Sequence, residues 1–453
     1  MFGTSGVRGE LNNFLTPELA VKLSEAFSLF LGGSGRVALG FDPRSSSKVL
    51  VEACLSGAMF YGLDVLYAGL IPTPVLLHLV KVFDLDGAIM VSASHTPPNY
   101  CGILFFKGDS GELSPMDSMR IEEYVSLLPP PTGKFGSIEI LNDVGDIYVD
   151  SVLKDFNVRN LCGLDLKIAI DIGNSPYAPY FGMLCEYLGI DFIAINSHPD
   201  GLFPGRGADV KPADLIHLSN LVKDGVVDFG FGVDGDGDRC IFVDENGNIL
   251  MGDVVGALFA REALLSSSGN IVCPINTSNI IHHISNRFGG KIIFTRIGPP
   301  EIVESIRMNP PTIFAFEESG KYIWPRNILY GDPGYALIKM LEIINKYGSI
   351  SKVILDFPKY SQLKIAIPCI DDYKGRVLSI LKDRVEEIFS PKEIICLDGL
   401  KLILDDDSWI LFRPSGTEAV FRVFVESLDE NKALKILDIG GRLVKDVITQ
   451  LSK

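Results

Sequence analysis

Three aspartates, Asp234, Asp236 and Asp238, alternate with glycines in the run DGDGDR (234–239). Alternate side chains of an extended backbone share a side, so the spacing predicts three carboxylates facing one way. Carboxylates that close repel unless a cation lies between them, and hard oxygen ligands select Mg²⁺, Ca²⁺ or Mn²⁺. An EF-hand competes for the same run, because Glu245 stands at the right distance after Asp234. That reading fails at Arg239, where the loop needs glycine, and at IFV (241–243), which continues as a strand. A solvated acidic hairpin tip is the plainer alternative. Three alternating aspartates closed by an arginine favour the metal.

A second stretch, VSASHTPPNYCGILFF (91–106), breaks from an apolar run into Ser92, Ser94, His95 and Thr96. Either this is a surface hairpin, or the strand delivers a hydroxyl to a cleft. Neighbours on a strand-to-turn segment face opposite ways, so His95 is expected to be badly placed as a base for Ser94. No G-x-S-x-G elbow accompanies the serine either, which sets a serine hydrolase aside. A serine that carries a phosphoryl group, beside a metal held by the aspartates, fits these residues better. In RPSGTEAVFRV (413–423), Ser415, Gly416 and Thr417 can present successive backbone N–H groups and two hydroxyls to phosphate oxygens. Arg413 and Arg422 add forked donors suited to phosphate. Alone this is only a glycine-containing turn; beside a metal loop it becomes a distal phosphate anchor. EESGK (317–321) offers carboxylates and a hydroxyl suited to sugar hydroxyls, although its composition is common in loops. Arg8, within the Gly/Ser-rich MFGTSGVRGE, is equally ambiguous by itself.

The elements that would position these loops recur three times. The first copy runs RVALGFD (36–42), LDVLYAG (63–69) and LDGAIMVSASH (85–95). LKIAIDIGN (166–174), IDFIAINSHPDG (190–201) and VDFGFGVDGDGDR (227–239) form the second. GNIVCPINTS (269–278), KIIFTRIGPP (291–300) and TIFAFEESGK (312–321) form the third. Short β-branched runs alternating with helix-length amphipathic segments predict α/β layers with largely parallel strands. Ligands of open α/β sheets sit beyond the carboxyl ends of the strands, so SASH, DGDGDR and EESGK could converge on one cleft. Pro/Gly-rich LLPPPTGKFG (127–136) and changes of pattern near 250 and 358 divide the chain into α/β domains at 1–150, 151–250 and 251–358. The remainder, 359–453, reads as a smaller α+β domain with LKIAIP and LKLILDDDSWILF as strands and a final helix.

A length of 453 residues with 47% hydrophobic content supplies several cores, and a formal charge of −16 argues against nucleic acid and anionic membrane surfaces. Basic groups for a phosphate ligand must then be concentrated in one cleft. The eight cysteines are scattered without a C-x-x-C pair, which reads as reduced thiols of a cytoplasmic protein. Neither a signal peptide nor a membrane span is expected.

In order and approximate spacing, FGTSGVRG, SASHTPP, PDGLFPGR (199–206), DGDGDR, EESGK and RPSGTE make the chain resemble the α-D-phosphohexomutase family almost from end to end. The resemblance implies four domains around a deep cleft, three sharing an α/β topology and the fourth smaller and mobile. It implies an intramolecular phosphotransferase that interconverts hexose 1- and 6-phosphates of mannose or glucose, or alternatively of glucosamine, through a hexose 1,6-bisphosphate. Ser94 would be the phosphoserine and, with Asp234, Asp236 and Asp238, would hold Mg²⁺; Arg239 and Arg8 would neutralise phosphate charge. Glu317 and Ser319 would grip ring hydroxyls. Arg413, Ser415, Gly416, Thr417 and Arg422 would bind the phosphate not undergoing transfer. A sugar-phosphate binder without activity would have little reason to keep the metal ligands. Small-molecule sugar phosphates are the expected partners of a monomer or homodimer. The family's usual loop carries a lysine at the position of Leu104 and a histidine at that of Lys321. Proton transfer is therefore expected of Lys321, its pKa lowered by Arg8 and Arg239, or of His95, whose ordinary pKa lies near neutrality.

Overall fold

A computed structural model describes the chain from Met1 to Ser452, except Asn12, Thr132 and Thr417. In the first domain, strand Gly35–Phe41 lies between parallel neighbours Leu63–Leu70 and Gly87–Val91, and Tyr100–Lys107 runs antiparallel along the latter. Val7–Glu10 and Ile138–Ile140 add one strand at each edge. Lys167–Asp171 takes the same central place in the second domain, with Asp191–Ile195 and Phe229–Val233 parallel to it and Cys240–Val243 antiparallel at the end. The third repeats the order with Asn270–Pro274 in the middle, Lys291–Thr295 and Thr312–Phe316 beside it, and Tyr322–Ile323 antiparallel. The three copies inferred from the sequence are thus one topology used three times. In each, the link from the third strand to its antiparallel partner carries SASH, DGDGDR or EESGK.

The fourth domain is an antiparallel sheet in the order Ser361–Pro368, Val420–Ser427, Trp409–Pro414, Leu400–Ile403, Glu393–Ile395. LKLILDDDSWILF, expected as a strand, is two strands joined by a turn. Three successive aspartates suit a turn better than a ladder, and Asp407 takes a left-handed φ of 63° there. Helices Asp371–Phe389 and Glu430–Leu451 bury one face of this sheet. Its other face sets Trp409, Leu411 and Phe424 against Ile275, Phe294 and Ile297 of the third domain.

A continuous apolar cluster runs from Leu76 and Phe106 through Tyr177 and Phe231 to Phe259 and Leu337, crossing the first three domains. One polar joint is embedded in it. Asp332, 2% exposed, accepts from the hydroxyls of Tyr148 at 2.8 Å and Tyr177 at 3.2 Å and from Asn327 Nδ2 at 2.9 Å. Its Oδ2 lies 2.8 Å from His78 Nε2, and His78 Nδ1 lies 2.8 Å from Ser151 Oγ. The same carboxylate caps helix Pro333–Tyr347 through Gly334 N–H and Tyr335 N–H. Burial opposes its charge, but the bonds from His78, Tyr148 and Asn327 outweigh that and hold its pKa below the ordinary carboxylate value. Residues from all three domains meet on this one carboxylate, so the strand ends are held against one another.

Candidate active site

Ser94 lies just beyond strand Gly87–Val91 and is 1% exposed. Its φ of 51° is left-handed, a conformation that costs a non-glycine residue ~1–2 kcal/mol and clusters at functional sites. The loop is held by a residue pair that no motif announces. Arg44, itself 1% exposed, donates from Nη2 to Ser94 O at 2.8 Å and Thr96 O at 2.6 Å, and its Nη1 pairs with Asp42. Asp42 also accepts from Ser92 Oγ at 2.8 Å and Ser47 Oγ at 2.6 Å, and Ser92 Oγ accepts from Ser94 N–H at 2.9 Å. The one available signal was FDPRSS (41–46), which stands at a strand end of the first copy.

Because Ser94 is left-handed, strand alternation stops there. Ser94 Oγ and His95 Nδ1 come within 3.3 Å, contrary to the expectation that they face apart. The ring is nevertheless no ordinary histidine: Arg239, burial and Arg8 push its pKa down to about 2. His95 is therefore a neutral imidazole at physiological pH.

DGDGDR is a hairpin turn between the antiparallel strands Phe229–Val233 and Cys240–Val243, not the extended segment expected. Its carboxylates converge because the turn folds them inward. Asp234, Asp236 and Asp238 are 0%, 0% and 2% exposed, and ligand atoms of all three lie within 4.8 Å of one another. Asp234 Oδ1 accepts from the N–H groups of Asp238 and Arg239 at 3.0 and 3.1 Å, while Ser94 Oγ donates to its Oδ2 at 3.4 Å. Thr73 Oγ1 of the first domain donates to Asp236 Oδ2 at 3.1 Å. Gly235 is required by this approach, since a Cβ there would sit 2.9 Å from the Phe203 ring and 3.2 Å from Ser94 O.

Burial, then mutual repulsion, raises the pKa values of Asp234 and Asp236. Asp238 goes the other way, to about 2, because Lys321 and Arg239 outweigh the effect of burial. Asp236 Oδ1 and Asp238 Oδ1 are buried without a hydrogen-bond partner, as are Arg8 Nε and Arg239 Nε, although Arg239 Nε pairs electrostatically with Asp238 Oδ1 at 3.8 Å. Orphaned carboxylate oxygens and orphaned guanidinium donors in one place fit a hard cation and an anionic group bound side by side.

Lys321 Nζ, from the EESGK turn of the third domain, donates to Asp238 Oδ2 at 2.7 Å and sits 4.0 Å over the Tyr330 ring. The expected lowering of its pKa is reversed. Burial disfavours the ammonium, but the carboxylates of Asp238, Glu317 and Glu112 outweigh it and raise the pKa. Leu104 is fully buried in the apolar cluster that also holds Phe106 and Tyr330, so it offers no polar group. Glu317 is 7% exposed, with its pKa raised by burial, and accepts from Ser319 Oγ at 3.4 Å. Arg8 Nη2 donates to Ser5 Oγ at 3.3 Å.

A cavity of about 500 Å³, lined by Thr4, Glu112, Arg296, Glu301, Asp398 and Gly416 among others, reaches the fourth-domain loop. Arg413 Nε donates to Asp398 Oδ2 at 2.7 Å, and Arg422 is paired with Glu418. Lys374, which sequence reasoning missed, clamps the loop by donating to Ser415 O at 2.5 Å and Glu418 O at 2.6 Å. Ser415 Oγ accepts from Glu418 N–H at 3.2 Å. Thr417 lies outside the described residues.

Three linked α/β domains that bring a serine, an aspartate trio and several cations to their strand ends define the architecture of a phosphohexomutase. Models of phosphoglucomutase/phosphomannomutase α/β/α domains I, II and III match residues 1–127, 146–247 and 251–360. The chain belongs to this family, the α-D-phosphohexomutases, and is an enzyme that transfers phosphate intramolecularly. It is 33% identical to the "Probable phosphoglucosamine mutase" of Methanopyrus kandleri, over 98% of this chain and 99% of that one. It is also 33% identical to a "Phosphoglucomutase/phosphomannomutase" of Thermococcus kodakarensis, over 99% of both chains. A crystal structure of a family protein from Burkholderia thailandensis shares the fold with a TM-score of 0.86 at 24% identity, covering 98% of this chain and 97% of that one. Among the described residues, no helix is long and apolar enough to cross a membrane.

Proposed function

We propose that this mutase interconverts glucosamine 1-phosphate and glucosamine 6-phosphate, with Ser94 as the phosphoryl carrier. The observation behind the carrier assignment is the buried Ser94 Oγ, 3.3 Å from His95 Nδ1 and 3.4 Å from Asp234 Oδ2. Phosphoserine transfers its group to the free hydroxyl of the sugar monophosphate. The resulting hexose 1,6-bisphosphate turns over in the cleft and returns the other phosphoryl group to Ser94. The His95 ring is placed to exchange the Ser94 proton once a bound phosphate offsets Arg239 and Arg8, the cations that hold its pKa down. Lys321 stays charged and holds Asp238. Arg8 and Arg239 neutralise the moving group. Asp234, Asp236 and Asp238, with the phosphoserine, would hold Mg²⁺, which when bound supplies charge stabilisation to the transferring phosphoryl oxygens.

Glu317 and Ser319 hold ring hydroxyls from the third domain. Arg413, Ser415, Gly416, Thr417 and Arg422 take the second phosphate, which replaces or shares the Asp398 contact of Arg413. A buried, water-poor centre suits the chemistry, because phosphoserine exposed to water would hydrolyse. Support for glucosamine comes from the name of the Methanopyrus relative. The Thermococcus relative at equal identity supports glucose and mannose phosphates as a second reading. Free, mostly buried cysteines suit a cytoplasmic site of action. Coupled assays with glucosamine, glucose and mannose 1-phosphates test the proposal; the largest kcat/KM with glucosamine 1-phosphate is expected, and none with any of the three would refute it.

A further inference from the structure

Each aspartate of the DGDGDR turn has one carboxylate oxygen held by a different part of the molecule. Asp234 Oδ1 takes two N–H groups of its own turn, and Asp238 Oδ2 takes Lys321 of the third domain. For Asp236 the support comes from the first domain, where Thr73 Oγ1 donates to its Oδ2 at 3.1 Å. Thr73 N–H also donates to the main-chain oxygen of Asp236, at 2.9 Å. Asp236 Oδ1 is left buried without a hydrogen-bond partner. One oxygen fixed and the other free is the condition under which a carboxylate meets a cation in a single orientation.

Thr73 is set on a rigid support. It opens helix Thr73–Val82, in which every residue from Thr73 to Val80 is buried. Pro72 stands at the cap position and gives the helix no side-chain bond, so the Thr73 N–H is available to Asp236. Farther along, Leu77 O accepts from Ser110 Oγ at 3.1 Å, and His78 Nε2 lies 2.8 Å from Asp332 at the joint of the three domains. The turn fits closely against the helix start: a Cβ on Gly237 would stand 2.4 Å from the Tyr177 ring and 3.3 Å from Pro72 Cβ. A valine would fill the Thr73 position equally well for packing alone. The hydroxyl is the part that meets the carboxylate.

We propose that Thr73 is a positioning residue for the metal, its hydroxyl holding Asp236 Oδ2 across the domain boundary and leaving Oδ1 to the cation. This rests on the mutase reading above, in which the three aspartates hold Mg²⁺. A purely structural Thr73 would contribute to stability and leave the metal affinity of the folded chain unmoved.

The test is calorimetric titration of the full chain with Mg²⁺ at neutral pH, for the wild type, Thr73→Val, Thr73→Ser and Asp236→Asn, beside thermal unfolding of each in chelator. Thr73→Val keeps the shape and the N–H bond and loses only the hydroxyl. Its Mg²⁺ affinity should fall roughly ten- to a hundredfold, the range for a residue that orients a metal ligand. Thr73→Ser, which keeps the hydroxyl, should stay within a few-fold of the wild type. Wild-type affinity in Thr73→Val overturns the proposal, whether or not its stability drops, as does an equal loss in Thr73→Ser. If Thr73→Val fails to fold, Thr73→Ala is compared with Thr73→Ser in its place. Asp236→Asn reports on the underlying reading. A wild type that binds no Mg²⁺, or an Asp236→Asn that binds it unchanged, overturns the aspartate site and the proposal together, whereas loss in Asp236→Asn without loss in Thr73→Val overturns the proposal alone.

Discussion

Replacing Lys321 by Met removes an ammonium 2.7 Å from Asp238 while keeping the side-chain length, at a place where both partners are 2% exposed. Stranding one member of a buried pair costs ~3–5 kcal/mol. The fall of the Asp238 pKa from 3.8 to about 2 corresponds to a net ~2–3 kcal/mol, so metal-free Lys321→Met should be about 3 kcal/mol less stable than the wild type at pH 7.5. The sign follows from linkage: a depressed carboxylate pKa contributes stability above the unfolded value, and this is lost as pH falls through about 2. The gap should therefore be complete at neutral pH. Magnesium should recover more stability in the variant than in the wild type, because no ammonium remains to oppose the cation. Urea unfolding in chelator, followed by magnesium titration, measures both quantities. Turnover should fall, but the pH–rate profile should keep its limbs, since a lysine with a raised pKa does not titrate near neutrality. Equal stabilities with and without magnesium would refute the electrostatics, and loss of a limb near neutral pH would make Lys321 the proton carrier instead of His95.

Three further outcomes are expected. Arg44→Lys keeps the charge but loses the fork that reaches Asp42, Ser94 O and Thr96 O; Tm should drop by several degrees and phosphate incorporation at Ser94 should fall, and wild-type values for both would contradict this. Arg413→Ala should raise KM for hexose phosphates roughly ten- to a hundredfold, so unchanged saturation curves would move the distal phosphate elsewhere. The raised pKa values of Asp234 and Asp236 mean that protons compete with metal, so Mg²⁺ affinity by calorimetry should be weaker at pH 5.5 than at pH 8; equal affinity would contradict that ordering.

The strand-end loops were legible because the fold repeats: Ser94, Asp234 and Lys321 occupy equivalent places in three copies of one topology, and local composition marks each. What stayed hidden depends on single residues that meet only after folding. Asp332, distant in sequence from His78, Tyr148 and Tyr177, has no motif to betray it. Arg44 and Lys374 grip main-chain carbonyls, partners that leave no mark in the sequence. Both geometric errors came from applying strand alternation past its end. A left-handed Ser94 turns His95 toward the hydroxyl, and a hairpin turn with Gly237 at φ 74° gathers the aspartates. Lys321 was misjudged because its arginine neighbours are visible in the motifs, whereas Glu112, which helps raise its pKa, carries no motif.

The phosphoryl-carrier role of Ser94 is tested most directly by intact-mass spectrometry after incubation with a hexose 1,6-bisphosphate and magnesium, with peptide mapping of the modified site. One phosphoryl group should appear on Ser94, pass to added hexose monophosphate, and be absent together with turnover in Ser94→Ala. Full turnover by Ser94→Ala, or a phosphoryl group mapped to another residue, would contradict that role.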